Sequence, residues 1–401
     1  MHKNKRRGRS KPRSKAAIVT LAIASGVAIA LFVGAATLAA PGGSKGKPGG
    51  GSGGGGTQVL PQSLGTSASC ATSGASGINN DVGYGLYVTA QGNSCGSAGE
   101  AAALRWTLAT GMEDLGTLPG SSGASAGDVA DDGTVVGFAS GPVAMPIVIY
   151  PGSAVPVAMP ITTGMTWGSA DGLSANGQFA VGVIGSDEVT RPARWIRDSQ
   201  GWSATVLNVT DVYAPIAPAI SNDGTALVNR ATRITSSEAL VGHAGFWTNG
   251  TTAWTALPGY DTLAFDINSA GDWIVGERWE PCASGCTQYS IPVYWVKNGP
   301  GWTGPFDLPA LDTANSTAHA IAERGGRKVI VGQGSRSKDG IRRAVYWLEQ
   351  PDGSFQLNRL AALDGRGRAA ATAVDVNSAG QVVGTSDASG LMSYAVMWTL
   401  P

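Results

Sequence analysis

Histidine is almost missing from this chain. Only His2, His243 and His319 occur in 401 residues, and His2 sits in a basic terminal tail. A histidine-rich metal cluster or a histidine-based catalytic triad therefore has few candidates, and no cofactor-binding motif stands out. Acid is missing from one region altogether: residues 1–56 hold ten Lys and Arg and no Asp or Glu. The remainder carries 18 basic and 28 acidic residues, a net charge of −10. That charge keeps the folded part soluble. It also argues against nucleic acid as a partner, because phosphate binding needs a cationic surface. Helical periodicity is absent outside one N-terminal segment, which excludes a helical domain.

The N-terminal segment has the order of an export signal. Residues 1–15 form a basic tail, and residues 16–40 follow as 25 uncharged residues. At about 1.5 Å per residue such a run crosses a hydrocarbon core. It is longer than the usual hydrophobic region of a cleaved signal peptide, and the small residues Gly34, Ala36, Thr37 and Ala39 leave cleavage open. Retained as a transmembrane anchor or cleaved as a signal peptide, it places the rest of the chain outside the cytoplasm, at the cell membrane or secreted. No cysteine follows the run, which argues against a lipoprotein anchor. Residues 41–56, PGGSKGKPGGGSGGGG, are too rich in glycine to bury a core and read as a flexible linker.

From residue 57 onward one phrase recurs seven times. Ala, any residue, a small residue or Asp, and an aliphatic residue occur at Ala75…Ile78, Ala126…Val129, Ala170…Leu173, Ala217…Ile220, Ala264…Ile267, Ala318…Ile321 and Ala373…Val376. Gly follows four residues after the aliphatic in six copies, at 133, 177, 224, 271, 325 and 380; the first copy, INNDVG, is one residue longer. A β-branched run ending in Val-Gly or Ile-Gly comes next in most copies. An aromatic closes a third segment: Trp106, Tyr150, Trp195, Trp247, Trp295, Trp347 and Trp398. A second Trp seven residues on, at 202, 254 and 302, is expected to face the first across a hairpin. A Leu-Pro segment then supplies a fourth strand. Four strands in about 50 residues, seven times, predict an all-β, seven-bladed β-propeller with four-stranded blades over residues 57–401. Because the chain ends after the third strand of copy seven, residues 57–62 are expected to complete that blade and close the ring.

These repeats resemble the HAF-type extracellular repeat of bacterial surface proteins. Leu115-Gly116-Thr117-Leu118-Pro119-Gly120, the Ala264…Asn268 and Ala373…Asn377 phrases, and His243-Ala244-Gly245-Phe246-Trp247 carry the resemblance. It implies an extracellular repeat fold and assigns no activity to any residue.

Chemistry is sought best where the copies differ. Asp128, Asp266 and Asp375 share the third position of the phrase, where the other copies have Gly or Ala. They are candidate ligand-binding groups around the axis, or acid/base groups; a structural hydrogen-bond acceptor would repeat in the same way. His319 departs from its repeat on the same strand. Trp279 and Tyr289 sit in a long connection of copy five, residues 277–295, as candidate stacking platforms. Gly123–Gly127, GASAG, fits a nucleophile-elbow pattern but joins two β segments rather than a strand and a helix. Four cysteines in an exported chain suggest two disulfides, with Cys70–Cys95 and Cys282–Cys286 as the local pairs, and a zinc site, disfavoured by the scarce histidines, as the alternative. The expectation is a monomeric binding scaffold at the bacterial cell surface, leaning away from enzymatic activity. Its partner would be a surface polysaccharide or a protein, and it would meet the membrane through its N-terminal segment. The alternative is an extracellular glycan hydrolase or lyase that uses the inner-strand carboxylates.

Overall fold

The repeated phrase folds as the innermost strand of a blade. In the computed structural model the described residues are 59–97, 99–207, 213–233, 240–251, 253–281, 288–312, 315–336, 338–365, 368–388 and 392–401. They contain 28 strands in seven antiparallel four-stranded sheets. The innermost strands are Cys70–Ile78, Gly123–Val129, Trp167–Leu173, Tyr213–Ile216, Thr262–Ile267, Ser316–Arg324 and Ala371–Val376, in blades 1 to 7. The expected seven-bladed propeller is thus the observed architecture. The basic tail, the apolar run of 16–40 and the linker of 41–56 lie outside the described residues, as do Cys282 and Cys286. Among the described residues no helix is long and apolar enough to cross a membrane.

Local chemistry explains the phrase. The turn glycines have left-handed φ, for example +84° at Gly133 and +79° at Gly380, a conformation that costs an L-residue energy and glycine almost none. The first copy departs from this pattern. There a 3-10 turn, Val82–Tyr84, intervenes, and the positive φ falls on Gly85 instead of Gly83. The glycine of the Val-Val-Gly run has a different cause. Six of the seven inner strands bulge just after the Ala of the phrase, as between Ala373 and Asp375, and push a carbonyl toward the second strand. A Cβ on Gly384 would lie 2.0 Å from Thr372 O, so only glycine fits.

The recurring tryptophans are fully buried in blades 3 to 7, and four of them bond to the preceding blade. Trp195, Trp295, Trp347 and Trp398 donate Nε1–H to the carbonyls of Pro160, Pro258, Pro309 and Ala361, at 2.7 to 2.8 Å. An indole that is otherwise apolar thereby satisfies its one donor while filling the gap between blades. The second tryptophans do not face the first ones in blades 3 and 5. Trp202 pairs with Arg197 and Trp302 with Lys297. The hairpin of blade 3 closes at Asp198–Gly201, one residue further along the chain than facing tryptophans require, and this shifts the register by two. In blade 4 the ladder runs to Phe246–Thr255, next to Trp247 and Trp254.

Ring closure occurs as expected in kind but not in position. Gln62–Gly65 pairs antiparallel with Ser393–Thr399 and completes blade 7. Residues 57–62 are therefore not the closing strand. Val59 instead bridges Leu360 of blade 6, and Ala361 N–H donates to its carbonyl at 3.0 Å. The closing strand has the Leu-Gly-Thr of blade 1's outer edge. Leu64 and Leu115 are both buried, Gly65 and Gly116 have φ of +75° and +72°, and Thr66 and Thr117 each donate to a carbonyl six residues on. Beyond it, Cys70 and Cys95 form the expected disulfide across the first hairpin of blade 1. Cys95→Ser is expected to lower stability by about 3.5 kcal/mol, the chain-entropy value for a loop of this size. Chemical denaturation with and without reductant measures it, and equal midpoints for variant and wild type would contradict it.

Candidate functional site

Each of the three repeat-position aspartates joins two blades. Asp128 accepts from Val129 N–H at 2.7 Å and from Leu173 N–H of blade 3 at 2.8 Å. Asp266 accepts from Ile267 and from Ile321 of blade 6, both at 2.8 Å. Asp375 accepts from Val376 at 2.7 Å and, across the point of ring closure, from Ile78 of blade 1 at 2.8 Å. One carboxylate oxygen thus holds its own strand and the other holds the next. The receiving blade has a small residue at the same position: Gly172, Ala320 and Gly77. Gly77 also has no room for more, since a Cβ there would lie 2.8 Å from Asp128 Oδ1.

The same carboxylates surround the axis. All three are half-buried. Burial pushes the pKa of each up to about 7, and mutual repulsion adds to it, from Asp375 on Asp128, from Asp266 on Asp375 and from Asp128 on Asp266. The two backbone donors of each pull in the opposite direction without cancelling the effect. Among the described residues no group of three or more His, Cys, Asp or Glu side chains is placed to hold a metal ion, so the aspartates ring the axis without converging on one point.

His319 lies between two of them. Its Nδ1 is 2.7 Å from Ala373 O of blade 7, two residues before Asp375. Its ring meets Phe265, the neighbour of Asp266, edge to face at 6.1 Å. Burial holds its pKa down at about 4, with the Arg342 charge adding to that. The imidazole is therefore neutral near pH 7. With Nδ1–H donating to the carbonyl, Nε2 is left as a bare acceptor; it is buried and has no hydrogen-bond partner. Blades 5, 6 and 7 thus carry on their innermost strands two carboxylates whose pKa burial raises to about 7 and a neutral, buried imidazole with an unpartnered Nε2. This is the composition of an acid/base site.

Asp171 was not among the sequence candidates. Burial raises its pKa to about 6, against a hydrogen bond from Ser169. It occupies the bulged second position of its phrase, ADGL, where His319 stands in blade 6; that shared position was the available signal. Trp279 and Tyr289 are placed elsewhere. The expected long connection of blade 5 is an extended ladder, Trp273–Pro281 against Gln288–Asn298, with only residues 282–287 outside the described set. Trp279 Nε1–H donates to Glu277 at 2.8 Å and Tyr289 OH to Glu280 at 3.0 Å, so both polar ends are engaged on their own sheet. GASAG lies within the inner strand Gly123–Val129 with Ser125 buried, which is no nucleophile elbow.

The fold defines a class, the seven-bladed propeller closed by its N-terminal strand. No protein-family model matches the chain, and no curated protein sequence matches it. Solved structures do resemble it. The β-propeller domain of the trilobed protease from Pyrococcus furiosus, which has an open velcro topology, covers 85% of this chain and 93% of its own at 11% identity, with a TM-score of 0.52. An oligogalacturonate lyase in complex with manganese covers 86% and 97% at 12% identity and 0.51. A polysaccharide lyase described as an ulvan lyase covers 84% and 94% at 11% identity and 0.51. The chain spans 63% of the length of TolB from Acinetobacter baumannii, at a TM-score of 0.40. At these identities the likeness is one of fold. It corrects the expectation that leaned away from an enzyme, because propellers that match most of this chain belong to lyases and a protease, and the fold is enzyme-associated.

Proposed function

We propose that this chain is an extracytoplasmic polysaccharide-cleaving enzyme that works at the propeller axis, the alternative that the repeat-position aspartates raised. The observation that carries the reading is that His319, neutral with its Nε2 unpartnered, and Asp266 and Asp375, whose pKa values burial raises to about 7, stand on the innermost strands of three consecutive blades. Breaking a glycosidic link by hydrolysis or elimination needs one group to take a proton and another to give one to the departing oxygen. His319 fills the first role. A carboxylic acid that is still half protonated at neutral pH fills the second. The lyase names of two propellers with this fold support the same direction.

The surrounding sequence fits that task. Residues 16–40 hold or deliver the propeller outside the cytoplasm, residues 41–56 tether it, and the likeness to HAF-type repeats agrees with the cell surface of a bacterium. The test is a polysaccharide panel read by reducing ends and by unsaturated products. His319→Gln and Asp266→Asn are expected to lower turnover about 100-fold or more with the fold intact by circular dichroism. Full turnover in both variants, or none in the wild type on any glycan, would remove the proposal.

A further inference from the structure

One end of blade 6 runs against the charge of the whole propeller. The strands of this blade are Ser316–Arg324, Arg327–Ser335, Arg342–Glu349 and Phe355–Arg359. Arg336, Lys338, Arg342 and Arg343 lie at the hairpin between its second and third strands. Arg359 ends the fourth strand opposite Val345, and Arg368 follows in the connection to blade 7. Asp339 and Asp364 are the carboxylates placed among them by the described residues. Asp339 is taken up by Arg343 in a two-point pair, at 2.9 and 2.6 Å, with Arg336 acting on it at longer range. Asp364 accepts from the backbone N–H groups of Arg368 and Ala369. No carboxylate among the described residues lies within 4.0 Å of Arg336, Arg342 or Arg359.

Elsewhere on the molecule five described basic side chains are matched by a carboxylate among the described residues, while Arg191, Arg194, Arg324 and Arg327 are not. Arg105, Arg197, Arg278, Lys297 and Lys328 each have a carboxylate partner. Exposed Arg359 is instead held below the usual guanidinium range by burial of part of its side chain, and by the charges of Arg336 and Arg343. Like charges gathered this way oppose folding, and of these arginines Arg343 is compensated within the hairpin, by Asp339 and Ile341 O. An anion that the cluster receives accounts for the gathering. Guanidinium groups take carboxylates in two-point bonds and give up their water more readily than ammonium groups do.

We propose that Arg336, Arg342 and Arg359, with Arg343 held beside them by Asp339, form the binding site for a polysaccharide that bears carboxylates, a polyuronate. This rests on the polysaccharide reading above and names its substrate class. A chain of regularly repeated carboxylates meets several guanidinium groups at once, and each sugar contributes while the rest of the acidic surface repels the polymer.

The test is binding of polygalacturonate to the full-length protein by titration calorimetry, with neutral dextran and dextran sulfate alongside. Arg342→Gln combined with Arg359→Gln is expected to weaken polygalacturonate binding about tenfold or more. Arg327→Gln, an exposed arginine at the other end of the same blade, is expected to leave it unchanged. Dextran is expected not to bind. Equal weakening by Arg327→Gln, no weakening by the double variant, or binding of dextran sulfate without polygalacturonate would each overturn the proposal. Because the readout is binding, the two proposals fail separately. Arginine-dependent binding without cleavage of any glycan refutes the enzyme reading alone. Cleavage of a neutral glycan without polygalacturonate binding refutes the polyuronate site alone.

Discussion

Removing residues 1–66 is expected to lower the melting temperature by more than 10 °C, while removing residues 1–58 leaves it nearly unchanged. The first truncation takes away the fourth strand of blade 7, Gln62–Gly65. It also removes buried Leu64 from the core that blades 7 and 1 share with Val383, Ala395 and Met397. It leaves the outer edge of Ser393–Thr399 as an open row of backbone donors and acceptors. Burial of Leu64 alone contributes about 2 kcal/mol, and the lost ladder bonds add about 1 kcal/mol each. The closure of a ring amplifies this, because a blade 7 freed on its outer side also strains its inner bonds to blade 1, Asp375 to Ile78 and Ser378 to Asn80. Differential scanning calorimetry of the two truncations distinguishes the outcomes. Equal melting temperatures would mean that the ring is held by its inner strands alone.

Raising the pH from 5 to 8 is expected to lower the melting temperature, by roughly 5 °C or more. In the unfolded chain an aspartate titrates near pH 4. In the fold Asp128, Asp266 and Asp375 titrate at about 7 and Asp171 at about 6, all chiefly through burial. Between those values the folded protein binds more protons than the unfolded one. The stability these groups contribute is complete below about pH 4 and is lost as the pH rises through about 7. His319 acts the other way. Its folded pKa of about 4 lies below the unfolded value, so it favours the fold as the pH rises toward neutrality. Four carboxylates outweigh one imidazole. Glu277, also raised by burial, adds to them. Asp375→Asn is expected to melt lower at pH 5, because an amide has one acceptor oxygen for two backbone donors, and to show a shallower fall toward pH 8. A wild-type melting temperature that rises from pH 5 to pH 8 would show that the axial carboxylates are ionised throughout.

The repeat was legible because each of its residues answers a local demand. Gly380 is needed for a left-handed turn, Gly384 for a strand that approaches a bulge, and Trp398 for a gap between blades. The aspartates were legible as positions but not as connections, since the sequence does not say that Asp375 reaches Ile78, 297 residues away in the chain. The closing strand was misplaced by a few residues because Leu60-Pro61 looked like the Leu-Pro segments. The repeated phrase it belongs to is Ser63-Leu64-Gly65-Thr66, whose counterpart is Asp114-Leu115-Gly116-Thr117. The arginine cluster was invisible for a different reason. Arg336, Lys338, Arg342 and Arg343 lie within eight residues, but averaging charge over the whole acidic propeller conceals them, and only the fold brings Arg359 to the same strands.

The sequence by itself determined the number of blades, the strands in each and the inner turn of six blades. Those depend on backbone sterics and on the period of apolar side chains, which are local properties. Tertiary structure alone decided that Asp266, His319 and Asp375 stand on the innermost strands of consecutive blades and that their proton affinities are shifted. Desolvation and charge repulsion depend on what surrounds a group in space, and that environment exists only once the seven blades close into a ring.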